Sequence, residues 1–434
     1  MFNIALLIYV LILVILLLWV KRRYPLLSIY PLTLCYMLCE VPFLFISYYN
    51  PEILYQSALA WVNDLEDTYI LHLYVRMIFI CCFSIVCLVY KPIAKPHMKN
   101  IKINSSYVML LLLIVFASYF AFLFQVGGLA VILGSMAGKT ELIRGSGITR
   151  LFFVYSSLVL ASVSVCYYAN SNRSVGKTAV LISLLILMFL MLASYGERKN
   201  SVVFLIIFAL SWNLWVKPIS IVSFKFIVGV SVLIVFSALA PPLREAGAAI
   251  KYALEPTQLF YDAIPHLGEL FRRFSDIDLS IFIFNYFDSS DRYFYLSTLP
   301  NLFYGVIPSF LYPNKPPVDE AVFIYNLANG INPGVDAPFH KFLPVGWPVS
   351  RYTSGWVQFG IWGVVVYSIF TSIFLIFLNN ITLRSNSPFV YPLYVVVAVT
   401  GFGISNAYIF NFLISVIVVF ILYISYRGLN ALSR

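Results

Sequence analysis

The sequence predicts an all-α polytopic integral membrane protein of about eleven transmembrane helices, with one large outer loop partly apposed to the membrane. Hydrophobic residues make up 61% of the chain and charged residues 11%, a balance that a water-soluble fold of 434 residues could not hide from solvent. Apolar stretches also recur at the roughly 20-residue length that crosses a hydrocarbon core. One segment breaks the run: residues 241–351 interleave eleven acidic and eight basic residues with short aromatic pieces, and end at another membrane-length stretch. The chain therefore divides into 1–240 with eight helices, a cap over 241–351, and 352–434 with three helices and a tail.

Taken in order, the expected spans are 3–20, 26–47, 69–89, 106–122, 151–168, 179–194, 201–216, 221–240, 355–377, 387–404 and 408–426. The first, Ile4 to Val20, precedes Lys21-Arg22-Arg23 and lacks a charged leader and a small-residue cleavage site, so it reads as a retained span. With the amino terminus outside, the inner connections hold Lys21, Arg22, Arg23, Lys91, Lys95, Lys99, Lys102, Arg173, Lys177, Lys217, Lys225, Arg384, Arg427 and Arg434. The short outer connections hold Lys139, Arg144, Arg150, Arg198 and Lys199, which is the expected positive-inside bias. The whole 241–351 segment then lies outside and the carboxyl terminus inside.

Two charges fall within spans, Glu40 in the second and Arg76 in the third. Neither is tolerated bare in hydrocarbon, so the expectation is mutual pairing, with substrate passage or snorkelling to the interface as alternatives. All six cysteines lie in or beside apolar stretches, which argues for small buried hydrophobes rather than disulfides or a zinc site. The histidines His72, His97, His266 and His340 are scattered, so neither a metal nor a cofactor is expected. The formal charge of +10 is largely the inner topology set, and no basic run interleaved with aromatics points to nucleic acid.

The outer cations work against topology and need another reason. Lys139, Arg144 and Arg150 sit in a glycine-rich connection, and Arg198 and Lys199 in the short turn Tyr195–Asn200. They fit either contact with lipid headgroups or a site for an anionic lipid-linked substrate, for which Arg supplies a bidentate fork. Aromatic pieces such as Ile281–Phe287 are too short to span and read as lying against the outer membrane surface, as interfacial anchors or as platforms for sugar rings.

Several short motifs carry a resemblance in their order. Leu311-Tyr312-Pro313-Asn314-Lys315-Pro316, preceded by Gly305-Val306-Ile307-Pro308, resembles a proline-rich segment of the bacterial O-antigen and related polysaccharide polymerases, the Wzy family. Gly196-x-Arg198 resembles that family's Gly-Ser-Arg turn, and Arg272-Arg273 and Gln358-Phe359-Gly360-x-x-Gly363 fall in family order. The chain departs from the pattern at Ser354–Gly360, where relatives carry a glutamate, and at Asn314, where relatives often carry aspartate. A carboxylate base at the former position does not carry over.

The resemblance implies an enzyme of lipopolysaccharide or related polysaccharide biosynthesis in the bacterial inner membrane, its active site facing the periplasm. Such a transferase joins undecaprenyl-diphosphate-linked oligosaccharide repeat units without sugar nucleotide, alongside a chain-length regulator and a flippase. The leaving diphosphate needs cations, with Arg198 first, then Arg272, Arg273, Arg351, Arg150 and Lys315. The acceptor hydroxyl would be helped by a base, for which His340 is one candidate, with an ordinary structural histidine as the alternative; Asp276, Asp319, Glu320 and Asp336 are others. Rival readings are a lipid-linked glycan ligase, a flippase or other transporter, and a structural assembly partner. No internal repeat of the kind transporters show is visible.

Overall fold

The computed structural model describes residues 1–21, 29–93, 103–134, 147–172, 174–194, 198–217, 251–252, 254–288, 292–305, 307, 311–347, 349–350, 352–399 and 405–432, with isolated positions between 229 and 242. In chain order the α-helices are Phe2–Lys21 (α1), Ile29–Leu38 (α2), Val41–Tyr49 (α3), Gln56–Leu59 (α4), Leu65–Tyr90 (α5), Ser105–Val126 (α6), Leu129–Gly134 (α7), Gly147–Asn170 (α8), Val175–Ser194 (α9), Arg198–Trp215 (α10), Pro256–Ser275 (α11), Ile277–Tyr286 (α12), Asn301–Tyr304 (α13), Glu320–Ala328 (α14), Thr353–Ser385 (α15), Tyr391–Val399 (α16) and Asn406–Leu432 (α17). Eight segments among the described residues are long and apolar enough to cross a membrane: Phe2–Val20, Tyr30–Tyr49, Leu65–Tyr90, Ser105–Val126, Gly147–Asn170, Val175–Ser194, Thr353–Ser385 and Asn406–Leu429. The seventh expected span corresponds to the shorter apolar helix Asn200–Trp215 and the tenth to α16, while the eighth lies almost wholly outside the described residues.

The surface fits lipid rather than water. Leu7, Leu11, Ile15 and Leu18 of α1 are half or more exposed, while Tyr9, Leu13 and Val20 on the same helix are fully buried. In water that exposed stripe would forfeit burial of large aliphatic groups, and in hydrocarbon it costs nothing.

Two compact units make up the chain. The first contains Met1–Lys95, Phe271–Ile381 and Val397–Phe412; the second contains Pro96–Leu270, Thr382–Val396 and Leu413–Arg434. In the second, α8 packs against α6, α9 and α10 and is the most buried of the membrane-length segments. Small residues permit that approach: Ser156, Ser157, Ser162 and Ser164 are all buried. Ser156 and Ser157 return their hydroxyls to the Phe153 carbonyl at 3.0 and 2.8 Å, so little polarity faces the neighbouring helices.

The first unit is built around interrupted helices. Pro42 at the start of α3 lacks an N–H and crowds the carbonyl four residues back, so the second expected span is broken at Cys39–Glu40. Helix α5 runs unbroken beside it, opened by Asp64, whose carboxylate accepts from the Asp67 N–H at 3.0 Å. Helix α12 lies antiparallel to α5: the Ser275 carbonyl just before it meets Arg76, and Asn285 near its end donates to the Thr68 hydroxyl at 3.1 Å. Residues Ile277 through Phe284 are all buried, so the segment expected on the membrane surface is packed inside instead. Arg76 stands about 10 Å along α5 from Tyr69, so the corner between α11 and α12 meets this membrane-length helix along its course rather than at its end.

Helix α15 is bent at its start. Phe359 and Gly360 leave helical geometry, Gly360 at φ +58°, and the chain folds so closely that a β-carbon on Gly355 would run into the Gly363 carbonyl. The bend frees the carbonyls of Val357 and Gln358. They are taken by the N–H groups of Phe294 and Tyr295 at 3.0 and 3.4 Å, and the Gln358 side-chain oxygen accepts from Leu296 N–H at 2.7 Å. The remaining loops wrap α14, where Asn326 ties both the N–H and the carbonyl of Leu343 at 2.9 and 3.2 Å, around a core of Phe323, Ala337 and Phe342.

Candidate functional site

The expected pairing of Glu40 with Arg76 is present. Arg76 Nε donates to Glu40 Oε2 at 3.0 Å with both side chains essentially inaccessible. The break before Pro42 is what turns Glu40 toward α5, and Tyr9 of α1 donates its hydroxyl to the other carboxylate oxygen. The guanidinium lies over the Tyr352 ring, Cζ 3.9 Å from the centroid, and its Nη2 donates to the Ser275 carbonyl at 2.7 Å. That carbonyl belongs to the end of α11, where the last four carbonyls lack helical partners and burial without one would be costly. Arg76 Nη1 and both ring nitrogens of His72, one turn earlier, are buried without a protein partner.

One turn before Ser275, Arg272 makes a bidentate pair with Asp278 at the start of α12. Nε reaches Oδ2 at 2.7 Å and Nη2 reaches Oδ1 at 2.8 Å. The pair closes the corner between the two helices, and Asp278 also accepts the Tyr55 N–H at 2.8 Å, which brings in the loop after α3. Arg272 lies flat on Tyr55, Cζ 3.5 Å from the ring centroid, and Tyr55 stacks on Trp347 with centroids 5.6 Å apart. A guanidinium fixed in plane on an aromatic face presents its fork in one orientation, and here that fork is taken by the Asp278 carboxylate.

A third polar focus is Glu320, buried at the start of α14. Its carboxylate accepts from the Thr298 hydroxyl at 3.1 Å and from the Asn406 N–H at 2.8 Å, the first residue of α17. The Asn406 side chain returns a bond to the Thr298 carbonyl at 2.5 Å, so turn, cap and membrane helix meet at one carboxyl group. Burial pushes that carboxyl up to about 7, and its two donors only partly offset the effect. Asp319 beside it is also raised by burial but caps α14 by accepting the Ala321 N–H at 3.0 Å.

The other expected residues are distributed as follows. His340 is exposed in a short 3-10 turn, Phe339–Lys341, and the Phe339 N–H bonds the Lys315 carbonyl at 3.1 Å, which brings the loops of His340 and Lys315 together. Lys315 donates to the Ile307 carbonyl at 2.7 Å, and partial burial lowers its ammonium from the ordinary range. Asp276 occupies the corner after α11 at φ +51°, and Asp336 is exposed. In the second unit Arg150 is half-buried in the first turn of α8. Arg198 opens α10, so the turn expected over 195–200 is shorter than the sequence suggested; its side chain and that of Arg273 lie outside the described residues, as do Arg351, Lys139 and Arg144. Among the described residues no group of three or more His, Cys, Asp or Glu side chains is placed to hold a metal ion.

Sequence reasoning missed Tyr55, Trp347, Tyr352 and Asp278. Two signals pointed toward them: Asp278 follows Arg272-Arg273 at a distance that bridges a helix corner, and Pro42 directly after an intramembrane charge marks a break. Tyr55 and Trp347 are loop aromatics among 31 tyrosines and seven tryptophans, and nothing in their spacing singles them out. No family model, curated protein or solved structure matches this chain.

Proposed function

We propose that the chain is a membrane polysaccharide polymerase that joins polyprenyl-diphosphate-linked oligosaccharide repeat units on the outer face of a bacterial inner membrane. The observation that supports this reading is the placement of Arg272: a planar guanidinium, paired with Asp278 and stacked on Tyr55, at a helix corner packed against the membrane-length helix α5, where a bound diphosphate would share or displace the Asp278 carboxylate. A lipid diphosphate carries its charge at the headgroup level, with the prenyl chain in hydrocarbon and the sugars above it. The order of the proline-rich, Gly-x-Arg and Gln-Phe-Gly motifs supports the same reading, as does the set of eight helices long and apolar enough to cross a membrane among the described residues.

In the reaction the donor's anomeric carbon–oxygen bond to diphosphate breaks, an acceptor hydroxyl oxygen bonds to that carbon, and its proton passes to a base. Charge develops on the leaving diphosphate, where fixed guanidinium groups are most effective. In the first unit the cations for that role are Arg272, Arg273, Arg351 and Lys315; Arg198 and Arg150 belong to the second unit and are separate candidates. The base is His340 or, alternatively, Glu320, whose carboxyl burial raises to about 7 while it accepts from Thr298 and Asn406.

The test is elongation by the purified protein in liposomes supplied with a polyprenyl-diphosphate-linked repeat unit and no sugar nucleotide. A ladder of longer glycans with release of polyprenyl diphosphate is expected. Movement of the lipid between leaflets without lengthening would identify a transporter instead, and transfer only to an unrelated acceptor would identify a ligase.

A further inference from the structure

Stability does not explain why two charges are kept inside the first unit. A buried ion pair replaced by apolar residues of similar volume leaves a protein as stable or more so in well-studied cases, so its retention points to what the pair arranges. Here one guanidinium makes three different ties. Nε holds Glu40 at 3.0 Å, Nη2 holds the Ser275 carbonyl at 2.7 Å, and its face rests on Tyr352, 3.9 Å from the ring centroid.

Two of the ties lead to segments that carry or adjoin an arginine named above. Ser275 returns its hydroxyl to the Arg272 carbonyl at 2.9 Å, so fixing Ser275 fixes the turn that carries Arg272 and Arg273. Tyr352 directly follows Arg351, inside a reciprocal cap in which Ser350 and Thr353 exchange side-chain and backbone bonds at 3.1 and 3.2 Å. Glu40 is itself held by Tyr9 from α1. A lysine at position 76 could keep the charge, but an ammonium offers neither the planar face for Tyr352 nor a second rigid N–H directed at Ser275.

We propose that Arg76 is a positioning residue, held by Glu40, that sets the corner carrying Arg272 relative to Tyr352 at the start of α15 for binding the diphosphate. Its functional consequence rests on the polymerase reading above; its structural content does not.

The test uses the full chain with Glu40→Leu and Arg76→Met combined, which removes both charges together and avoids leaving one buried alone. Hydrogen exchange by mass spectrometry should show protection falling at least tenfold in both 271–278 and 349–356, with α6 and α8 unchanged. Elongation turnover at saturating donor should fall at least tenfold at near-normal abundance and melting temperature. Tyr352→Leu, which leaves the ion pair intact, should loosen 349–356 alone, with a smaller loss of turnover. Wild-type exchange in either segment of the double variant, or wild-type turnover in a preparation whose parent elongates, overturns the proposal. A parent that fails to elongate overturns the polymerase reading only, and the exchange result then decides this inference by itself.

Discussion

The two units treat buried polarity differently. In the second, Ser156 and Ser157 of α8 turn their hydroxyls back onto the Phe153 carbonyl, and Tyr107 gives its hydroxyl to the Leu422 carbonyl at 2.5 Å. A charged pair there, Lys251 with Asp262 at 2.6 Å, is local in sequence. In the first unit, Arg76 reaches Glu40 and Ser275, and Glu320 reaches Thr298 and Asn406, each contact closing a long loop in the chain. Hydroxyls let helices approach, whereas charges fix which segments meet. On the proposed function the diphosphate site is therefore sought among the long-range charged contacts of the first unit, and Arg198 tests the second unit as the alternative.

The contrast breaks most visibly at a single charge. Arg76→Met alone leaves Glu40 buried without its counter-ion, and a loss of about 3–5 kcal/mol is expected, read as a fall in abundance and in the melting temperature of the detergent-extracted protein. Normal melting would mean that the pair is not sealed from water as the geometry indicates.

Arg198 sharpens the functional side. Arg198→Ala is expected to slow elongation about a hundredfold, equivalent to about 3 kcal/mol, and Arg198→Lys by less, with abundance unchanged. Near-normal turnover in the alanine variant would move the diphosphate site to Arg272, Arg273 and Arg351.

Glu320 predicts a pH effect. Its carboxyl binds its proton more tightly in the folded chain, near pH 7, than the usual carboxyl does at about 4.5, so its contribution is full at low pH and is lost as pH rises through 7. The protein should melt at lower temperature at pH 8 than at pH 5.5, by an amount corresponding to at most about 3 kcal/mol. Glu320→Gln should flatten that slope, and a slope unchanged by the substitution would assign the pH dependence elsewhere.

The smallest effect belongs to the second unit. Ser162 is buried and its hydroxyl has no partner, so Ser162→Ala should move the melting point by no more than about 0.5 kcal/mol in either direction. A large loss would show that hydroxyls there do more than allow close approach.

Much of this was legible in residue types alone. Membrane character follows from hydropathy, and the Glu40–Arg76 pair from the rarity of charge in apolar spans. The corner between α11 and α12 was not legible, because α12 has 10 residues and a hydropathy window tuned to membrane length averages it into its polar flanks. Nor was Glu320 separable from Asp319 beside it: adjacent acidic residues look alike in sequence, and only the fold sends one to cap its own helix and the other into contact with Thr298 and Asn406.

The bend in α15 also bears on how the chain is made. Leu296 is held by a glutamine 62 residues further on, and the neighbouring Phe294 and Tyr295 amides wait for carbonyls that emerge equally late. Synthesis runs from the amino end, so the loop before α13 leaves the ribosome before the groups that will receive it. Its assembly is thus a late step, coupled to insertion of the helix that follows, and a chain arrested before residue 357 would expose that loop's amides to proteases that spare the finished protein.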